Sequence, residues 1–262
     1  MSDAPKAATS WERVTILGVP MDCVTMTEAV LIADDLVRAG RKGAIFAINP
    51  EKIIAASENA RLLEAINEAA LLIPDGVGAV VAARLGGART RRRVPGADLM
   101  PELCALAANR GYPVFVFGAR PEVTPMACRA LRDAYPGLKI AGYQNGYLSP
   151  ADALALPARI NDSGARFLFV GLGSPQQELW IHDNLPKLTT VNVCQGVGGT
   201  LDVLAGRVKR APMAWQRSYL EWLYRILREP ARIRRFPRLL TFAYRVWKEG
   251  VSLDAAPGIK RQ

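Results

Sequence analysis

RFLFVGLGSPQQELWIHDNL, residues 166–185, runs an apolar block straight into a glycine-rich loop and then into a segment of helical character. An apolar run this short, bounded by glycine, is the pattern of a strand buried on both faces. The arrangement recurs on either side. YPVFVFGARPEV (112–123) carries an apolar strand to Gly118 with a helix behind it, and TTVNVCQGVGGTLDVLAG (189–206) carries another to Gly196, Gly198 and Gly199, then a short helix or turn. Between them, LKIAGYQNGYLSP (138–150) is a strand leading into a loop, followed by a helix over 151–163.

The first hundred residues keep the same rhythm. RVTILGVPMD (13–22) predicts one strand, TMTEAVLIADDLVRAG (25–40) a helix opened by Thr25 or Thr27, and GAIFAINP (43–50) a second strand. A helix is expected from there through Leu72, then a turn at IPDGVG (73–78), a short helix, and the basic stretch ARTRRRVPGADLM (88–100). Strands alternating with helices at this pitch predict an α/β fold: a parallel sheet covered by helices on both faces. In such sheets ligands sit beyond the carboxyl ends of the strands, where glycine lets backbone N–H groups approach a phosphate. Gly118, Gly171, Gly173, Gly198 and Gly199 are the candidates for that role. No stretch completes G-x-G-x-x-G or a P-loop string, so the glycines alone do not specify a dinucleotide or ATP.

Charge divides the chain in two. Residues 1–206 hold 20 basic and 20 acidic side chains, whereas 207–262 hold 14 and 4, so the entire net charge of +10 lies in the last fifth. The expected organisation is a catalytic unit over 12–206, a basic amphipathic appendage over 207–249, and loose ends at 1–11 and 250–262. RSYLEWLYRILREPARIRRFPR (217–238) interleaves arginine with Trp, Leu and Ile, and PRLLTFAYRVWKEG (237–250) follows as an amphipathic helix opened by Pro237. This is the composition of helices that lie on an anionic membrane surface. A packed helix pair with solvated arginines is the plainer alternative. A nucleic-acid tail is disfavoured, because phosphate contact needs no such apolar content. The N-terminus shows no secretory signal, and no run of about 18 uncharged apolar residues occurs, so a membrane contact is expected to be peripheral.

The chemistry is sparse. Four cysteines without C-x-x-C spacing (Cys23, Cys104, Cys128, Cys194) suggest buried thiols. The single histidine, His182, has no nucleophile motif around it, and there is no H-E-x-x-H and no D-x-D, so no metal site is expected. Acids, amides and arginines beside turns remain. Asn49 in AINPEK is either a helix N-cap ahead of Pro50 or a ligand contact. Asp75 in PDG is either a turn residue or a carboxylate on a partly desolvated shelf, suited to general-base work. Arg89, Arg91, Arg92 and Arg93 are either a solvated run or, at RVPG, a guanidinium held for a diphosphate.

INPEKI, LLIPDGVGAVVAAR, RVPGADLM, VFVFGARPEV, YPGLKIAGYQNGY, FLFVGLGSPQQELWI, GVGGTLDVLAG, RAP and YLEWLYRILREPAR follow in order along residues 13–238. In that order and spacing the chain resembles the WecG/TagA/CpsF glycosyltransferase family. The resemblance implies a Rossmann-like fold of the family's own kind. It implies an inverting, metal-independent transfer of a hexosyl unit from a UDP-sugar to a polyprenyl-diphosphate-linked sugar, at the cytoplasmic face of the inner membrane. N-acetylmannosamine, its uronic acid and glucose are the sugars it leaves open, and it calls for no cofactor. It places the catalytic base on Asp75, the donor-contacting amide on Asn49, the diphosphate arginine on Arg93 and the P-x-Q-E glutamine on Gln177, with Asp202 among the substrate-binding residues. The appendage arginines Arg225, Arg228 and Arg232 would complete the site, and a homo-oligomer is possible. One departure is Ala47, where many members carry Thr. A membrane-associated nucleotide-sugar-binding scaffold without chemistry is the alternative.

Overall fold

The structure is a computed structural model that describes residues 11–90, 92–209, 211–212, 214–215, 224 and 236–254. Its centre is a six-stranded, all-parallel sheet built from β3 (Gly43–Ile48), β4 (Leu71–Pro74), β5 (Val114–Gly118), β6 (Ile140–Gln144), β7 (Phe167–Gly171) and β8 (Val193–Gly196), in the order β4-β3-β8-β7-β5-β6. The strand-to-glycine stretches predicted from sequence are β5, β7 and β8, each buried along its whole length.

Helices cover both faces. One face carries α2 (Pro50–Ser57), α3 (Ala60–Asn67), α4 (Val77–Leu85), α7 (Pro150–Asp162) and α8 (Gln176–Asn184). The other carries α1 (Met26–Arg38), α5 (Gly96–Arg110), α6 (Val123–Ala134) and the short α9 (Thr200–Leu204). Crossovers that step toward the β4 edge use the first face, and the step from β5 to β6 uses the second. That segregation is what a single crossover hand requires. α1 opens with a full capping box, Thr25 accepting from the Glu28 N–H while Glu28 reaches back to the Thr25 N–H.

Three expectations are corrected. Residues 13–22 form a hairpin, β1 (Arg13–Ile16) and β2 (Val19–Asp22), because Leu17 and Gly18 both adopt positive φ and reverse the chain. The helix expected through Leu72 ends at Asn67, and Leu71–Pro74 is β4, the edge strand beside β3. The loose end expected at 250–262 contains β9 (Val251–Asp254), which pairs antiparallel with β1 and so closes a small sheet β2-β1-β9. Asp22 ties that sheet to the large one. Its carboxylate holds Arg13 at 2.6 Å and accepts the Leu72 N–H on the outer side of β4 at 2.8 Å.

α10 (Phe236–Glu249) is the predicted Pro237 helix. It docks on α2 through Phe242, which is buried in the core, and through Arg245, which donates to Ser57 Oγ at 2.9 Å. Leu240, Tyr244 and Trp247, at spacings of four and three, form an exposed stripe. The predicted contacts Arg225, Arg228 and Arg232 lie outside the described residues. Among the described residues, no helix is long and apolar enough to cross a membrane.

Candidate active site

Because the strands are parallel, their carboxyl ends share one edge of the sheet, and the predicted site residues gather there. Asn49 follows β3 directly and Asp75 follows β4 directly. Asp75 and Gly76 donate their N–H groups to the Ile48 carbonyl, at 3.0 and 3.4 Å, which draws the two loops together. Gly76 is required by that closeness, since a Cβ there would stand 2.6 Å from Pro50 and 3.0 Å from Asn49. The arginine arrives from further along the chain. Val94 donates to the Pro74 carbonyl at 2.7 Å, so Arg93 is pinned beside the end of β4. Asn49, Asp75 and Arg93 are all half-buried. Three separate stretches of sequence thus bring residues that carry an amide, a carboxylate and a guanidinium to the ends of β3 and β4.

Asn49 is also the N-cap of α2, its Oδ1 accepting the Lys52 N–H at 3.0 Å with Pro50 at N1. The capping and ligand readings are therefore compatible. The cap uses the carbonyl end of the amide, and Nδ2 is the end through which Asn49 can donate to a ligand. Asp75 is not in a tight turn; it joins β4 to the Gly76 N-cap of α4.

The glycines divide by what surrounds them. A Cβ at Gly118 would lie 2.4 Å from the Gly171 carbonyl oxygen, and one at Gly171 would lie 2.8 Å from Leu201. Gly118 lets the ends of β5 and β7 pack on one another, and Gly171 admits Leu201 of α9 against the end of β7. Gly173, Gly198 and Gly199 face open space instead, so their backbone is where a ligand can approach.

Gln177 does not face that space. It is 4% exposed, its Nε2 donates to Glu178 Oε1 at 2.8 Å, and its Oε1 accepts the Gly198 N–H at 2.9 Å. Both ends of the amide are engaged inside the protein, so its role at the site is to hold the 197–199 loop. Glu178 in turn receives Lys52 at 2.6 Å, with side-chain exposures of 0% and 5%. Burial pushes the Glu178 carboxyl up, but the Lys52 charge and hydrogen bonds from Lys52, Gln177 and Ser174 outweigh it and hold the group below its ordinary range. Breaking such a pair strands a buried charge at a cost of about 3–5 kcal/mol. Lys52, Glu178, Gln177 and Gly198 therefore form a strut from the helix that Asn49 caps to the glycine loop after β8.

Sequence reading missed the strut, since its two charges lie 126 positions apart. It also missed Arg120, an exposed cation just past the end of β5 that pairs with Asp202 at 3.4 Å and stands 3.8 Å from Glu122. The only hint was an arginine placed two residues after a strand-end glycine. Ala47 lies on the opposite face of β3 from the strut and packs under Gly96, where a Cβ would meet it at 3.3 Å. His182 sits in α8 with Nδ1 3.2 Å from Glu68. Burial raises the Cys104 thiol to about 12 and the Cys128 thiol to about 11, which leaves both protonated and inert at neutral pH.

A parallel α/β sheet with open glycine loops and an acid–amide–arginine group at its carboxyl edge defines a ligand-binding α/β enzyme scaffold. The family model described as Glycosyl transferase WecG/TagA/CpsF family matches residues 14–256. The chain belongs to that family of glycosyltransferases, whose work is polysaccharide biosynthesis.

Proposed function

We propose that this protein transfers a hexosyl unit from a UDP-sugar to a polyprenyl-diphosphate-linked sugar, with inversion and without a metal. The observation that carries the reading is the convergence of Asn49, Asp75 and Arg93 at the ends of β3 and β4 in a chain of this family. In the proposed step the acceptor hydroxyl attacks the anomeric carbon opposite the UDP. Its proton passes to the Asp75 carboxylate as the new C–O bond forms and the bond to the β-phosphate oxygen breaks. Charge accumulating on the departing UDP is balanced by Arg93 and by Arg225, Arg228 and Arg232 of the appendage. Asn49 Nδ2 and the backbone at Gly173, Gly198 and Gly199 hold the donor, the Gly198 N–H itself being taken by Gln177, with Asp202 at the edge of its site.

Gln177 supports this arrangement through the Gly198 loop. The enzyme works as a peripheral protein at the cytoplasmic face of the inner membrane, a reading supported by the basic tail and by the outward stripe Leu240, Tyr244 and Trp247 of α10.

The test is UDP release from a panel of UDP-sugars, with a short-chain prenyl-diphosphate sugar as acceptor and no added metal. Acceptor-dependent release with one donor, giving a product of opposite anomeric configuration, is the expected result. Release that requires a divalent cation, or a product of retained configuration, would overturn the mechanism. Tight UDP-sugar binding with no release from any pair would leave the scaffold alternative.

A further inference from the structure

The segment between Asp75 and Arg93 is an excursion pinned at its base by the Val94–Pro74 hydrogen bond, with α4 as its outgoing limb. α4 is apolar nearly all round. Ala79, Val80, Ala82 and Ala83 are in the core, and a helix of this kind would ordinarily be enclosed. Instead Gly78, Val81 and Leu85, at spacings of three and four, share one outer stripe. A Cβ at Gly78 would touch Phe242 of α10 at 3.7 Å, whereas Val81 is 47% exposed and Leu85, at the far end, 78% exposed.

Charge singles out the same segment. Residues 76–97 contain five arginines (Arg84, Arg89, Arg91, Arg92, Arg93) and no acid, whereas the rest of residues 1–206 holds 15 basic and 20 acidic side chains. Arg84, Arg89 and Arg92 are exposed, Arg84 beside Leu85 in α4 with its Nε donating to the Thr90 carbonyl at 3.0 Å, and Arg89 and Arg92 in the stretch that follows. Exposed aliphatic side chains in a segment this rich in exposed arginine match an anionic bilayer, whose headgroups take guanidinium groups such as those of Arg89 and Arg92 while the acyl boundary takes Val81 and Leu85.

We propose that this excursion, within the catalytic unit, is a membrane contact separate from the C-terminal appendage. The proposal rests on the glycosyl-transfer reading for its purpose. Asp75 and Arg93 stand at the two roots of the excursion, and α4 spans only about 13 Å at 1.5 Å per residue. Seating Leu85 on the bilayer therefore fixes the height of the reaction centre above the plane in which a polyprenyl diphosphate presents its phosphates.

The test uses the full chain and does not depend on turnover. Flotation with phosphatidylcholine vesicles, with and without phosphatidylglycerol, is compared for wild type and Val81→Ser/Leu85→Ser. The double variant is expected to lose about tenfold in partitioning onto phosphatidylglycerol-containing vesicles, at unchanged thermal stability. As a second measurement, Leu85→Cys carrying a polarity-sensitive fluorophore should shift to the blue with those vesicles and be quenched by spin-labelled lipid. Unchanged partitioning with an aqueous spectrum at position 85 would overturn the proposal. So would a blue shift that needs concentrated protein rather than vesicles, which would assign the stripe to a second copy of the chain. Loss of vesicle binding in a protein that turns over no donor would uphold the surface and sink the transfer reading.

Discussion

The carboxyl edge of the sheet is built in two manners. At β3 and β4 it presents side chains: an amide, an acid and an arginine, held together by backbone hydrogen bonds to Ile48 and Pro74. At β5, β7 and β8 it presents backbone, with two glycines consumed by internal packing and three opening outward. A side chain such as Asp75 can take a proton from the acceptor, whereas backbone can bind a ligand and steady its charge but cannot serve as the base. Under the proposed function, proton transfer falls to one half of the edge and donor binding to the other. The Lys52–Glu178–Gln177 strut keeps the halves in register.

Each half can be broken separately. Asp75→Asn should lower turnover by about 10²–10⁴-fold, the worth of a positioned base, read as UDP release from folded protein. Arg93→Ala should cost about 10²–10³-fold in the same assay. Lys52→Met should destabilise the fold by about 3–5 kcal/mol in denaturant unfolding, since it leaves Glu178 buried and unpaired.

Glu178→Gln sharpens the role of the strut through pH. The carboxyl of Glu178 is held below its ordinary 4.5 in the folded state, so its contribution to stability is present above that value and fades as pH falls through the lowered folded value. The variant should lose that acid-side dependence, read as a shallower fall of melting temperature below about pH 4.5. The smallest effect is expected for Gly199→Ala, which meets no atom within 4 Å: normal folding, with a several-fold rise in KM for the donor.

Much of this division was legible before any coordinates. β5, β7 and β8 announce themselves because apolar runs end abruptly at glycine, and Asn49, Asp75 and Arg93 sit beside breakers that mark element ends. β4 was hidden because Leu71–Pro74 is four residues long, continues the apolar pattern of the preceding helix and has no glycine before it. β9 is equally short, and its pairing with β1 joins positions some 240 residues apart, which local pattern cannot report. The partners of Gln177 were hidden for a related reason. Its place among the substrate contacts came from the resemblance at PQQE, and only the positions of Glu178 and Gly198 show both ends of its amide engaged.

The most direct test of the division is the separation of kcat from KM for Asp75→Asn and Gly199→Ala, assayed side by side with the same UDP-sugar and acceptor. The account predicts that the first loses kcat at near-normal KM and the second loses donor affinity at near-normal kcat. Near-normal kcat in Asp75→Asn would contradict it, returning Asp75 to a linker between β4 and α4 and moving the chemistry elsewhere on the edge.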